Sequence, residues 1–224
     1  MNKSAALSTG SGLPAHETAY RTLRDLVLFG ALAPGDSVTI QGLIEVTGLG
    51  MTPIREALRR LTAEGALKAQ DNRRIVVPVL DAAALEELRL ARLLLEPRLA
   101  EKAAKRASRD DLETLQATDA RLDTAIRKGD VGGYLRENHA FHQGLNAIAD
   151  APILASLSAS LWLRFGPSLR VVCGQTGTRA LPDRHKDIVA ALSAADAQAA
   201  AQAVEEDIHQ GMDMMVQSLP DLLP

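Results

Sequence analysis

Apolar residues recur at helical spacing in three short segments near the start of the chain. After a leader over residues 1–14 that has no periodicity, the pattern predicts helices over residues 17–29 and 40–46. A third helix follows, with Thr52 as its N-cap and Pro53 in its first turn, where a missing N–H group costs nothing. The spacing of the second and third helices is typical of a helix-turn-helix.

The third helix is followed by an alternating pattern that indicates strands. Its apolar side, expected in the core, carries Ile54, Ala57, Leu58 and Leu61. Arg55 and Arg59, four residues apart, share a different side. The segments ALKAQ and IVVPV then predict two short strands around a turn at residues 71–72, with Arg73 and Arg74 beside the tip. Three helices and a basic hairpin in this order predict a winged helix.

Beyond residue 80 the strand signal stops, and six amphipathic helical segments follow, separated by capping residues and breakers. Asp81 opens the first segment, and Ser108 with Asp111 resembles a capping box at the start of the second. The other four begin near residues 130, 152, 184 and 197. The predicted fold is mainly α: a winged helix-turn-helix with a small β-hairpin over residues 15–80, then an antiparallel bundle of about six helices over residues 81–224.

The composition is that of a soluble globular protein of one or two domains, with 224 residues, 46% of them hydrophobic and 24% charged. The single cysteine, Cys173, excludes an intramolecular disulfide and is expected to be a small buried thiol. No run of 18 apolar residues and no signal-peptide pattern occurs, so a cytoplasmic location without membrane insertion is expected.

The formal charge of −3 argues at first against a nucleic-acid binder. The charges are unevenly placed, however: residues 51–77 hold 6 basic and 3 acidic side chains, whereas residues 81–224 hold 16 basic and 21 acidic ones. A locally positive winged helix is therefore combined with an acidic helical domain, and the net charge is the wrong quantity by which to judge DNA binding.

Five polar side chains are candidates for contacts with double-stranded DNA. The third helix of a helix-turn-helix lies in the major groove, where Thr52 suits a phosphate and Arg55 a base edge or phosphate. Arg59 suits the backbone, and Arg73 and Arg74 of the wing add further contacts. The alternative is a solvated charged face, but the basic wing and the helix spacing together favour DNA.

Two sets of motifs carry a family resemblance. The strings LRDLVLFGALAPGDSV, LIEVTGLGMTPIREALRRLTAEGAL and NRRIVVPV resemble the winged-helix domain of the GntR family of bacterial transcription regulators. LEELRLARLLLEP, RENHAFHQGL, DRHKDIVAAL and EEDIHQGM resemble the FadR-type FCD domain, which binds effectors and dimerises. The resemblance implies a ligand-responsive homodimer that binds a pseudo-palindromic operator and a small organic acid, and it assigns DNA contacts to Thr52 and Arg55. Gly50 and Met51 depart from the family pattern, which has a small polar residue and an arginine there.

Three histidines are expected to face the helical core. Asn138 and His142 are four residues apart on an otherwise apolar helix face, and His185 and His209 each precede apolar residues by three and seven positions. One inward histidine is usually a satisfied core residue, whereas three suggest a shared metal. His139, one residue off the face, is expected to be exposed.

The resemblance implies that Asn138, His142, His185 and His209 bind a divalent transition metal, with zinc or nickel favoured. Because asparagine replaces the commoner aspartate, we expect weaker metal binding and a more positive site that favours a carboxylate ligand. The resemblance also suggests that Arg92 binds an anionic effector, although an ion pair with Glu96 fits its spacing equally well. Arg164 is a weaker effector candidate, and Trp162 is assigned to core or dimer packing.

Two other functions compete with DNA-binding regulation. A metal-dependent hydrolase would use the three-histidine site to ionise water, but neither an HExxH motif nor an inward-facing acidic base accompanies the histidines. A purely structural helical module leaves the order of helix-turn-helix and wing unexplained. Both are therefore alternatives to a regulator.

Overall fold

The structure, a computed structural model, describes residues 13–29, 31–71, 74–177 and 184–218. These residues contain nine helices and three short strands. Residues 1–12 of the predicted leader lie outside this part. In chain order the elements are α1 (Ala15–Leu28), β1 (Ser37–Val38), α2 (Ile40–Thr47), α3 (Met51–Ala63), β2 (Lys68–Ala69), β3 (Ile75–Val76), α4 (Ala82–Ala104), α5 (Arg109–Lys128), α6 (Val131–Ile148), α7 (Pro152–Thr176), α8 (His185–Ser193) and α9 (Ala197–Gln217).

The helix-turn-helix is formed by α2 and α3, and α3 begins earlier than predicted. Thr39 caps α2 by accepting a hydrogen bond from the Gly42 amide at 3.1 Å. Gly50, with extended backbone, is the N-cap of α3, so the prediction that Thr52 caps this helix is wrong. Pro53 still falls in the first turn, where its missing N–H group has no partner to lose. The Thr52 hydroxyl is thereby left on the exposed surface.

The predicted hairpin is present and gains a third strand. β3 lies in the middle of an antiparallel sheet, between β1 and β2. Ser37 of β1 and Lys68 of β2 both face Val76 of β3 across the ladders. The wing is thereby tied to the segment that leads into α2.

Six helices, α4 to α9, form the C-terminal bundle, as the sequence predicted for this part of the chain. Ser108 and Asp111 make a complete capping box at the start of α5. Aspartate side chains cap three further helices by accepting hydrogen bonds from amides of the first turn: Asp81 for α4, Asp130 for α6 and Asp196 for α9. Cys173 is fully buried as expected, and burial raises the pKa of its thiol to about 12.

The winged helix packs on the bundle through α1 and α7. A Cβ atom at Gly166 of α7 would lie 2.6 Å from the carbonyl oxygen of Leu28, so only glycine permits this approach of the two helices. Nearby, Phe29 contacts the ring of His139, which in turn contacts Trp162 of α7. The two halves of the molecule therefore share one continuous apolar core.

Gly166→Ala tests the close approach of α7 to α1. We expect the free energy of unfolding to fall by about 1–3 kcal/mol, because the added methyl group collides with a backbone oxygen. Urea denaturation followed by circular dichroism measures the change. Gly174→Ala on the same helix is the control, because a Cβ atom there meets no described atom within 4 Å and alanine is the better helix former. Equal losses in both variants would contradict this account of the interface.

Candidate functional site

The outer face of α3 carries the predicted DNA contacts. Ile54, Ala57, Leu58 and Leu61 are buried, as the periodicity predicted. Thr52, Arg55 and Arg59 are exposed on the remaining surface of the helix. A polar, partly basic surface therefore faces away from the core.

The arginines of this face differ in their partners. Arg59 donates to Glu56 at 2.7 Å, an exposed ion pair that contributes little stability. Arg55 makes no ion pair with any described residue. On the wing, Arg74 donates from Nε to the hydroxyl of Ser37, and Arg73 lies outside the described residues. Arg55 is thus the cation of α3 that is most available to a ligand.

In the bundle, three side chains that can bind a metal ion lie close together. His142 Nε2 lies 3.4 Å from His185 Nε2 and 3.4 Å from Asp207 Oδ2, on helices α6, α8 and α9. Two atoms bonded to one zinc ion at about 2.1 Å lie roughly 3.4 Å apart in a tetrahedron. Two of the three donor distances match this value, all three atoms lie within 4.8 Å of one another, and the donor chemistry fits a divalent transition metal.

Two carboxylates set the charge around these imidazoles. Asp119 Oδ1 lies 3.3 Å from His185 Nδ1, and this contact lowers the pKa of Asp119 against the opposing effect of burial. A carboxylate at Nδ1 leaves Nε2 free to face the cluster. Burial alone would raise the pKa of Asp207, but the hydrogen bond from His142, aided by the charges of His142, His185 and Arg92, lowers it to about 2. Asp207 is therefore ionised at neutral pH.

His209 does not join the cluster. Its side chain is exposed and lies in a groove between α4 and α9, so the expectation that all three histidines face the core is wrong for His209. The register of α9 explains the difference. Its buried face is formed by Val204, Ile208, Met212 and Met215. His209 follows Ile208 by one position and therefore lies to the side of this face. The apolar repeat of 204, 208 and 212 was visible in the sequence and places Asp207 beside the core.

Asn138 lines the same cavity as His142 and Asp207. The negative charge that the asparagine lacks is supplied by Asp207, which takes the place expected for the neutral His209. The cavity is therefore not more positive than a site with one aspartate and three histidines, and the reason for expecting weaker metal binding no longer holds.

Arg92 makes the ion pair that its spacing to Glu96 predicts, and it also lines the cavity. It is 4% exposed and donates to both carboxylate oxygens of Glu96, at 3.0 and 2.9 Å. The guanidinium also lines the cavity, 5.1 Å from the ring centre of Trp162 and 4.6 Å from that of Phe165. Ser158 donates to Glu96 as well, so the pair is held from both sides.

Two further residues lie elsewhere than expected. Arg164 is exposed beside Gly65 and lines a groove between the two halves of the molecule, so it does not contribute to the cavity that Arg92 lines. His139 is half-buried between Phe29 and Trp162 because α1 covers that side of α6. Burial, with smaller contributions from the charges of Arg24 and His142, lowers the pKa of His139 to about 4.

Comparison with known proteins assigns both parts of the chain. The pattern of bacterial regulatory proteins of the gntR family matches residues 15–77, and that of the FCD domain matches residues 87–210. The chain belongs to the GntR family and carries an FCD domain.

Similar proteins agree with this GntR assignment. The HTH-type transcriptional regulator McbR of Escherichia coli K12 is 28% identical over 198 residues, which cover 87% of this chain and 90% of McbR. The McbR/YncC structure has a TM-score of 0.86 at 27% identity, covering 92% of this chain and 99% of that one. A GntR regulator from Rhodococcus sp. RHA1 shares the fold, with a TM-score of 0.74 at 19% identity and coverage of 91% and 98%.

This GntR protein is thus a transcriptional regulator rather than an enzyme, which removes the support for the hydrolase alternative. No helix within the described ranges has the length and apolar character needed to cross a bilayer.

Glu96→Gln tests the buried ion pair of this GntR protein. We expect a loss of about 3 kcal/mol or more in unfolding free energy, because the Arg92 guanidinium remains buried without a counter-charge. Glu113→Gln is a matched control, since Glu113 pairs with Arg109 at the same i,i+4 spacing on the surface, where such pairs contribute little. Guanidinium chloride titration distinguishes the two. A Glu96→Gln protein as stable as the control would show that the pair has no structural role.

Proposed function

We propose that this GntR protein is a ligand-responsive, sequence-specific regulator whose helical domain binds a divalent metal and a small carboxylate effector. Residues 15–80 would bind DNA, and residues 81–224 would bind the effector and form the dimer. The observation that carries the proposal is the position of Trp162. Its ring is 5.0 Å from that of His142 in the cavity and 5.4 Å from that of His139, which contacts Phe29 at the end of α1. Ligand site and DNA-binding unit thus meet through one side chain.

The DNA contact is assigned to α3 and the wing. Thr52, Arg55 and Arg59 would face the major groove and its phosphates, with Arg73 and Arg74 following the backbone. Residues 51–77 carry a formal charge of only +3, from 6 basic and 3 acidic side chains, so one copy would bind weakly. Two copies on a pseudo-palindrome would supply the affinity and the specificity.

The metal ligands are assigned to His142, His185 and Asp207, with the Asn138 carboxamide as a further ligand. Two imidazoles and one carboxylate suit a borderline divalent ion such as zinc or nickel. The metal would supply a Lewis-acid centre to which a carboxylate binds. Asp119 would hold the His185 ring in orientation from the opposite side.

The effector pocket is supported by two buried polar atoms without partners among the described residues. Trp162 Nε1 is an unused donor, Gln210 Oε1 is an unused acceptor, and both residues line the cavity. A buried group left unpaired costs about 1–3 kcal/mol, so a ligand that pairs with it gains affinity. A carboxylate oxygen accepts from an indole N–H, and a metal ion together with Arg92 would favour its negative charge.

Coupling between the sites would run along α7. A ligand that pairs with Trp162 shifts the equilibrium between two placements of this ring, and His139 and Phe29 transmit the shift to α1. Because α1 packs on α3 within the winged helix, the relative placement of the two DNA-binding units in a dimer would change.

Arg55→Ala tests the DNA assignment. We expect a loss of about 1–3 kcal/mol in binding free energy to the DNA upstream of the protein's own gene, because a base or phosphate contact is removed. Fluorescence anisotropy, with and without metal and candidate carboxylates, measures this. Metal content should not change, and Arg121→Ala in the helical domain is the control. If the wild-type protein showed no sequence-selective DNA binding under any condition, the proposal would be refuted.

The metal assignment predicts a contrast within α9. His142→Ala and Asp207→Asn should each lower metal affinity by roughly 100-fold or more, because loss of a direct ligand exceeds the 10- to 100-fold effect of outer contacts. His209→Ala, two residues from Asp207, should bind metal as the wild type does. Elemental analysis and competition with a chromophoric chelator measure the affinities.

His142→Ala and Asp207→Asn should also lose the response of DNA binding to carboxylates while keeping basal DNA affinity. Metal loss in His209→Ala with retention in Asp207→Asn would reverse the assignment.

A further inference from the structure

Met51 occupies a position in which a large apolar side chain has no structural use. It is the first residue of α3, and half of its surface is exposed, at 50%. The apolar side of α3 is complete without it, because four other residues fill the core. Its neighbours along the outer surface, Thr52 and Arg55, are polar and exposed.

Met51, Arg55 and Arg59 are four residues apart and therefore form one row along α3. Successive members of the row are separated by about 6 Å along the helix axis. In a major groove that α3 enters with its N-terminal turn, Met51 lies one turn nearer the bases than Arg55.

Arg55 and Met51 differ in the chemical groups of the bases that they can recognise. Arg55 offers donors, which suit the O6 and N7 acceptors of guanine. Met51 offers neither a donor nor an acceptor of useful strength, so it recognises only an apolar group. In the major groove of a duplex the apolar group of a base is the C5-methyl of thymine.

We propose that Met51 determines operator specificity by packing on the methyl group of a thymine in the major groove. The inference rests on the proposed contact of α3 with DNA. Burial of the methyl group and of the exposed Met51 side chain stabilises the complex on that sequence alone, because a cytosine at the same position presents a polar amino group instead.

The experiment begins with in vitro selection of duplexes by the full-length wild-type protein. Each thymine of the selected site is then replaced by deoxyuridine, which removes the methyl group and keeps the base pairing. We expect one position in each half-site at which the dissociation constant rises roughly three- to fivefold, the effect of one buried methyl group. Met51→Ala should bind the thymine and deoxyuridine duplexes equally.

Two variants serve as controls. Val46→Ala removes another exposed apolar side chain of the helix-turn-helix, and Ile153→Ala removes one from the helical domain. Both should keep the methyl dependence. All three residues are exposed, so thermal unfolding should be unchanged.

Three results would overturn the inference: no thymine methyl that matters, a methyl dependence that persists in Met51→Ala, or one that disappears in Val46→Ala instead. If the wild-type protein selected no sequence, the DNA-binding proposal would be overturned together with this one. That result is recognisable because it appears in the selection, before any thymine is altered.

Discussion

The packing of α7 between the cavity and α1 is the constraint on which the rest of the structure depends. Gly166 allows the Leu28 backbone to approach, because any side chain there would collide with a carbonyl oxygen. One turn earlier on the same helix, Trp162 contacts Arg92 on one side and His139 on the other. A change in ring position would therefore affect both the cavity and the contact with the DNA-binding unit. In a close-packed interior such a change is a switch between arrangements rather than a gradual deformation.

Charge in and around the cavity is balanced by one ion pair within a helix and by contacts between helices. Glu96 neutralises Arg92 within α4, while Asp207 from α9 and Asp119 from α5 lie beside the histidines of α6 and α8. A buried ion pair contributes less to stability than its contacts suggest, because desolvation opposes the attraction. Its role here is one of position: the guanidinium is held against two aromatic rings at the wall of the proposed effector site.

Local signals predicted most of the helix limits. Ser108, Asp81, Asp130 and Asp196 cap the helices that the sequence assigned to them, because a cap depends on residues within one turn. The start of α3 was misplaced because Gly50 and Thr52 are both acceptable N-caps and only the path of the preceding turn chooses between them. The spacing of His209 to Met212 and Val216 predicts an inward side chain, but Val216 is 37% exposed, so this side of α9 is not the core face. The environment of His139 was beyond local reasoning, since it is α1, distant in sequence, that covers it.

The sequence by itself determined the class of the protein: the order of helices and wing, the basic segment at residues 51–77, and the inward direction of His142 and His185 all follow from spacing and composition. The tertiary structure decided which residues share a site. It brought Asp207 to the histidines in place of His209, placed Arg92 at the cavity and Arg164 outside it, and joined Trp162 to α1 through His139. The reason is that periodicity identifies the face of a helix, whereas the neighbour of that face depends on packing between elements far apart in the chain.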